Sequence, residues 1–263
     1  MAHTTSPYIS VYNFDPAAGT IGAKLANPAA LPTCASNEIT FSSDNKFLAV
    51  AHTASPYISV YNFDPVAGTI GVKLANPAVL PTGDGWDAVF FSDNKFLAVS
   101  YATSPYFSVY NFDPVAGTIG VKLADPAILP TGGSPEISVA SDNKFLAVAH
   151  IVSPYFSVYN FDPVAGTIGA KLANPAALPA GLGYGIDFSS DKKFLAVGHA
   201  VSPYISVYNN NFIYSPSGTF ESGTIDFGGA QDFGNLSWTA TVPAQTGADA
   251  FRLQLAAAPC SNA

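Results

Sequence analysis

From residue 38 to residue 74 apolar and polar positions alternate in four short runs. Over residues 38–42, Ile39 and Phe41 fall on one face. Residues 46–52 are mostly apolar and follow a tight turn. Over residues 57–63, Tyr57, Ser59, Tyr61 and Phe63 share one face, and Ile58, Val60 and Asn62 the other. Residues 69–74 complete the set. A period of two, carried by β-branched and aromatic residues, predicts four β-strands. The connections agree. Ser43-Asp44-Asn45-Lys46 suits a hairpin whose Asn takes the left-handed conformation. Asp64-Pro65-Val66-Ala67-Gly68 places Pro early and Gly late, a second hairpin turn. Residues 76–81 hold two prolines, which donate no ladder bond, and so predict an exit loop.

The same pattern returns along the chain. Ser-Pro-Tyr-(Ile/Phe)-Ser-Val-Tyr-Asn begins at Ser6, Ser55, Ser104, Ser153 and Ser202, each step being 49 residues. Asp-(Asn/Lys)-Lys-Phe-Leu-Ala-Val begins at Asp44, Asp93, Asp142 and Asp191 with the same 49-residue spacing. Residues 44–83 and 93–132 differ at seven of forty positions. Four short antiparallel strands repeating every 40–50 residues or so describe a propeller blade. A solenoid would need shorter, parallel coils, and a sandwich would not repeat so faithfully. The fold class expected is all-β: a β-propeller of 49-residue, four-stranded blades.

The stretch from Phe41-Ser42-Ser43-Asp44-Asn45-Lys46 through Phe47-Leu48-Ala49-Val50-Ala51-His52 resembles the second-strand hairpin of YVTN and WD40-like propeller repeats. Ser59-Val60-Tyr61-Asn62 resembles their third strand. The resemblance covers roughly residues 1–211. It implies the propeller fold, in a superfamily that includes lactonases, surface-layer proteins and repeats similar to those of phage and bacterial adhesins. Ser43 and Asn45 stand where those turns usually carry Pro and Gly, and the Trp-Asp pair of true WD40 repeats is absent. No lactonase catalytic residue can be matched.

The ends do not complete the pattern. His3-Thr4-Thr5-Ser6 aligns with the end of a second strand, so the first unit enters mid-blade. The last unit supplies three strands, over residues 186–188, 193–199 and 204–208, before Asn209-Asn210-Asn211 breaks the repeat. Pairing residues 186–199 with 8–25 would close a ring of four blades. Five incomplete blades, or an open arc completed by another chain, are the alternatives. The propeller is assigned to residues 1–211. In residues 212–263 the composition changes. The runs 217–228 and 236–243 read as strands between Gly-rich turns, resembling the start of a β-sandwich module of bacterial and phage surface proteins. The chain is expected to be part of a longer polypeptide.

Charge narrows the partners. Ten Lys+Arg face eighteen Asp+Glu, an acidic balance that argues against nucleic acid, because phosphate binding needs a basic surface. Arg252 is the only arginine. No apolar run is long enough for a transmembrane helix, so no membrane insertion is expected. The first seven residues lack the basic and apolar regions of a signal peptide. Cys34 and Cys260 form no CxxC pair and predict neither a zinc site nor a disulfide framework. His52, His150 and His199 share one repeat position, where Tyr101 is the exception. On separate blades they cannot converge on one ion, so they read as structural strand-end residues, and no metal or other cofactor is expected. Asp15, Asp64, Asp113 and Asp162 each precede Pro and read as turn acceptors. There is no G-x-S-x-G, H-E-x-x-H or phosphate loop. Near-identical blades supply the same groups far apart, whereas catalysis needs unlike groups together. No catalytic residue and no enzyme activity are expected.

Where the repeats differ is informative. Variation concentrates in windows 34–38, 83–87, 132–136 and 181–185. A loop entering the innermost strand of a blade lies at the mouth of the central channel, and loops carry function while the scaffold holds them. Trp86 and Tyr184 are the candidate stacking residues, and would face each other in a four-bladed ring. Asp84, Asp87, Glu38 and Glu136 are candidate acceptors for hydroxyls or a cation. Glu38, Asp87 and Glu136 share one repeat position, with Gly185 as the fourth. The function expected is a non-catalytic structural or adhesive propeller, acting as scaffold or receptor-binding module on a cell or virion surface. Its partner would be a protein or glycan receptor, with room for a homo-oligomer or larger assembly. A lectin-like propeller and a lactonase-like hydrolase are the alternatives.

Overall fold

The computed structural model describes residues 1–209, which contain seventeen strands and, among these residues, no helix. The sandwich module expected over 212–263 lies outside the described residues. The first sheet has two strands, β1 (Tyr12–Asp15) and β2 (Thr20–Lys24). Three four-stranded blades follow. They are β3 (Ser36–Phe41), β4 (Phe47–His52), β5 (Ile58–Asp64) and β6 (Thr69–Lys73); β7 (Gly85–Phe90), β8 (Phe96–Tyr101), β9 (Phe107–Asp113) and β10 (Thr118–Lys122); and β11 (Ile137–Val139), β12 (Phe145–Ala149), β13 (Phe156–Asp162) and β14 (Thr167–Lys171). The last sheet has three strands, β15 (Gly183–Phe188), β16 (Phe194–His199) and β17 (Ile205–Asn209). Every blade is an antiparallel meander in chain order, the arrangement of a β-propeller.

The core lies between blades. Phe47, Ala49, Ile58 and Val60 on one face of a blade pack on Leu97, Val99, Tyr110 and Phe112 of the next. The same seam recurs one blade on, where Phe96, Phe107 and Val109 meet Leu146, Tyr159 and Phe161. Edge-to-face ring pairs mark each seam, Phe47 on Phe112 at 4.9 Å and Phe96 on Phe161 at 5.0 Å.

Hydrogen bonds hold the seams in register. Asn45, Asn94 and Asn143 take the left-handed conformation that the sequence predicts for the hairpin, with φ of 58°, 55° and 59°. The buried Asn94 then reaches back, its Oδ1 accepting from the Ser43 N–H at 2.9 Å, and Asn143 does the same for Ser92 at 2.9 Å. Ser43 Oγ donates to the Ser92 carbonyl at 2.8 Å, and Ser92 Oγ to the Ser141 carbonyl at 3.1 Å. In the last sheet Lys192 replaces the asparagine, keeps a φ of 61°, and reaches Asp142 Oδ2 with its Nζ at 3.0 Å.

The histidines are built into the blades. Nε2 of His52, His150 and His199 pairs with the hydroxyl of Ser59, Ser157 and Ser206 at 3.0, 3.1 and 3.0 Å. Tyr101 fills the same position, with its phenol 2.7 Å from Ser108 Oγ. Burial pushes the His52 imidazole down to about 4. The aspartates before proline are turn acceptors, Asp64 Oδ1 taking the N–H groups of Val66 and Ala67 at 2.8 and 2.9 Å.

Two expectations are corrected. Tyr57 is not in the third strand. Its φ is 68°, and β5 begins at Ile58. The Tyr57 N–H donates to the Ala54 carbonyl, and its own carbonyl accepts from the His52 N–H at 3.0 Å, so it closes a turn that reverses the chain. Nor do residues 186–199 pair with 8–25, because β1 pairs only with β2, and β15, β16 and β17 form their own sheet. The first sheet instead packs Ile9 and Val11 onto Leu48, Val50 and Tyr61, which places it one blade position before β3–β6. Among the described residues no core cluster joins the first sheet to the last, and the array is an open arc.

Asn45 and Asn94 share a conformation but not a partner, which separates their substitutions. Asn45→Ala should cost about 1 kcal/mol, from left-handed backbone alone. Asn94→Ala should cost about 1–2 kcal/mol more, because it also leaves the Ser43 N–H without its acceptor. Urea denaturation of the two variants measures the difference. His52 gives a pH test. Its depressed pKa means that the neutral ring contributes stability above its ordinary 6.5, and that this is lost as pH falls toward about 4. His52→Tyr, which copies Tyr101, should reduce the loss over that interval by roughly 1–3 kcal/mol, read as urea midpoints across the pH series.

Candidate functional site

The first strands of successive blades, β3, β7, β11 and β15, lie beside one another around the inside of the arc. A cavity of about 340 Å³ opens across three of these blades, lined by Glu38, Thr40, Trp86, Asp87, Pro135 and Glu136 among others. Glu38, Trp86 and Asp87 belong to the strands themselves, and Glu136 immediately precedes β11. The chemistry therefore rides on the inner strands more than on the loops that enter them.

The carboxylates do structural work as well as facing the opening. Asp87 is buried, its Oδ1 accepting from the Ala88 N–H at 2.6 Å and its Oδ2 from the Ile137 N–H of the next blade at 2.9 Å. Burial drives its carboxyl up to about 6, overcoming those two donors, with Glu38 adding to the rise. Burial likewise pushes Glu136 up to about 7, reinforced by Asp87, Asp187 and Glu38, although the Ile186 N–H donates to it. Asn37 Nδ2 donates to the Gly85 carbonyl at 2.8 Å, so neighbouring inner strands are stitched at each step.

Trp86 is half-buried at the rim, with its six-membered ring over Gly133 of the next blade. A Cβ at Gly133 would stand 3.0 Å from two ring carbons, so this glycine makes room for the indole. Asp84 and Tyr184 are exposed and do not line the cavity. Trp86 and Tyr184 stand on blades separated by the whole of β11–β14 in an open arc, not as a facing pair in a ring of four. The structure thus groups Glu38, Asp87, Glu136 and Trp86.

It also adds Asp187, which bears on Glu136 and accepts from Ser138 Oγ at 2.9 Å. The signal for it was the strand period. Gly185 breaks the run of carboxylates at 38, 87 and 136, and two residues further along β15, on the same face, an acid returns.

Three carboxylates, Glu38, Asp87 and Glu136, meeting without a lysine or arginine in the cavity lining form an electronegative recess. Among the described residues no group of His, Cys, Asp and Glu has a metal-holding arrangement. The recess suits an organic cation, and its partly protonated acids can also donate to hydroxyls.

The architecture has counterparts in solved structures. The chain superposes on a 6-phosphogluconolactonase-like protein from Bacteroides uniformis with a TM-score of 0.62 and 17% identity, over 80% of this chain and 63% of that one. It superposes on hydrazine synthase of Kuenenia stuttgartiensis with a TM-score of 0.59 and 15% identity, over 80% and 68%. A protein from Lactobacillus plantarum gives a TM-score of 0.53 and 17% identity, over 66% of this chain and 50% of its own. At these identities the likeness shows the β-propeller fold. No family model matches the chain, and no curated protein matches it.

The raised carboxyls carry a linkage sign opposite to that of His52. With a folded pKa near 7 against an ordinary 4.5, Glu136 favours the fold fully below 4.5, and that contribution is lost as pH rises through about 7. Glu136→Gln keeps an acceptor for the Ile186 N–H and removes the charge. The variant should melt higher than the parent at pH 8, by a few degrees for a gain of roughly 1 kcal/mol. The advantage should vanish below pH 4.5. Scanning calorimetry across that range checks both limits.

Proposed function

We propose that this chain is a non-catalytic binding scaffold whose acidic, tryptophan-rimmed recess receives a cationic group of a protein receptor at a cell or virion surface. The observation that carries the reading is the meeting of Glu38, Asp87 and Glu136 with Trp86 in one cavity, on blades that are otherwise near-copies of one another. A lysine ammonium or arginine guanidinium entering there gains carboxylates on one side and an indole face at the rim. Its charge also relieves the mutual repulsion that helps hold the Asp87 and Glu136 carboxyls up. The similarity of the repeats to those of surface proteins supports the setting.

A lactonase acting on a phosphorylated sugar is less compatible with this recess. Such a substrate brings negative charge to acids, with no lysine or arginine in the lining. The His52–Ser59 and His150–Ser157 pairs offer no substitute, since both are buried within their own blades.

The test is a peptide array of lysine- and arginine-rich sequences run beside a glycan array. A basic peptide should bind, and Trp86→Ala should weaken it about thirtyfold, or about 2 kcal/mol, the scale of an aromatic hot spot. Tyr184→Ala, outside the recess, should leave affinity within about twofold. Affinity should rise from pH 6 to pH 8 as Glu136 ionises. Binding of a neutral glycan at a pH-independent affinity would replace this reading with the lectin-like one. Peptide binding untouched by Trp86→Ala would remove the recess from the account.

A further inference from the structure

The two ends of the arc expose the two halves of a seam that the chain builds repeatedly within itself. Inside the arc, Phe47, Ile58 and Val60 of one blade meet Tyr110 and Phe112 of the next. Phe96, Phe107 and Val109 meet Tyr159 and Phe161 in the same way. On the last sheet the corresponding offering positions are Phe194, Ile205 and Val207. Ile205 and Val207 are 57% and 58% exposed, where Ile58 and Val60 are 1%. On the first sheet the accepting positions are Tyr12 and Phe14, which are 44% and 65% exposed, where Tyr110 and Phe112 are buried. Ile21 extends that second apolar face.

We infer that these faces are a head-to-tail interface between copies of this chain, the first sheet of one copy seating on the last sheet of another. The partner is specified by the internal seam, not by apolar character alone. Phe14 of a second copy would take against Phe194 the place that Phe112 takes against Phe47 at 4.9 Å and Phe161 against Phe96 at 5.0 Å. Tyr12 of that copy would stand to Ile205 as Tyr159 stands to Phe107, whose rings are 5.5 Å apart. None of these six positions is charged, so no unpaired ion is buried. The two faces differ, which makes the contact heterologous. Each copy offers one face and accepts with the other, and the assembly closes as a ring if the blade-to-blade rotation permits. The interface lies on the flanks of the arc, independent of the acidic recess.

The test uses the full chain. Light scattering over about a hundredfold range of concentration should show a mass of at least two copies that falls on dilution. The double variant Ile205→Glu/Val207→Glu, altered at the last sheet only, should be monomeric. Phe14→Glu, altered at the first sheet only, should be monomeric as well. All three are surface positions, so circular dichroism should report an unchanged fold for both variants. Mixing the two should restore a dimer and nothing larger, because one retains the accepting face and the other the offering face. A parent chain that is monomeric throughout overturns the inference. So does an oligomer that survives both changes, or a pair of variants that fails to combine.

Discussion

Burial of one blade's apolar face against the next is the interaction on which the rest of this chain depends. A lone four-stranded sheet has two apolar faces and no means of covering either. Here each blade offers Phe, Ile or Val positions on one side and accepts with Tyr, Phe and Leu on the other, as in Phe47, Ile58 and Val60 against Leu97, Tyr110 and Phe112. Stability is therefore close to a sum of nearest-neighbour terms. A change on one side of a seam demands a matching change across it, which is a physical reason for the repeats to remain so alike. The Asn94 and Asn143 contacts to Ser43 and Ser92 add direction, fixing each hairpin against its predecessor.

Where the seam does not dictate the residue, the chain diverges, and the chemistry collects there. The inner-strand positions 38, 87 and 136 keep carboxylates that face one another across blade boundaries. Backbone donors to Asp87 and Glu136 hold the inner strands together, while burial and crowding hold the protons on these two acids. The recess is thus stabilised by its hydrogen bonds and strained by its charges, and any cation that enters removes the second effect without disturbing the first.

Much of this was legible in the sequence. The period of two and the Asp-Asn-Lys and Asp-Pro turns located the strands of every blade, and the same alternation correctly divided Ile58 and Val60 from Tyr61. Tyr57 escaped because a tyrosine adjoining a strand reads as part of it, whereas its backbone is set by the turn from His52 to Ile58. Ring closure was not legible because the apolar seams use nearly the same residues, and a local pattern that repeats at each step contains no count of steps. Trp86 and the three acids at 38, 87 and 136 were found by comparing repeats. Tyr184 was paired with Trp86 only by assuming a ring of four, and Asp187 was passed over because it sits one strand period from the aligned position.

The replacement of asparagine by Lys192 has a consequence for how the arc comes apart. The two preceding hairpins are fastened by a neutral amide to a backbone N–H, but the last is fastened by an ammonium to the partly exposed Asp142 carboxylate. Dissolved ions weaken the second kind of contact and leave the first nearly untouched. Ionic strength thus acts selectively on the boundary between β11–β14 and β15–β17. Salt therefore loosens the last of these boundaries more than the two before it, although Ser141 Oγ still donates to the Ser190 carbonyl there at 3.1 Å.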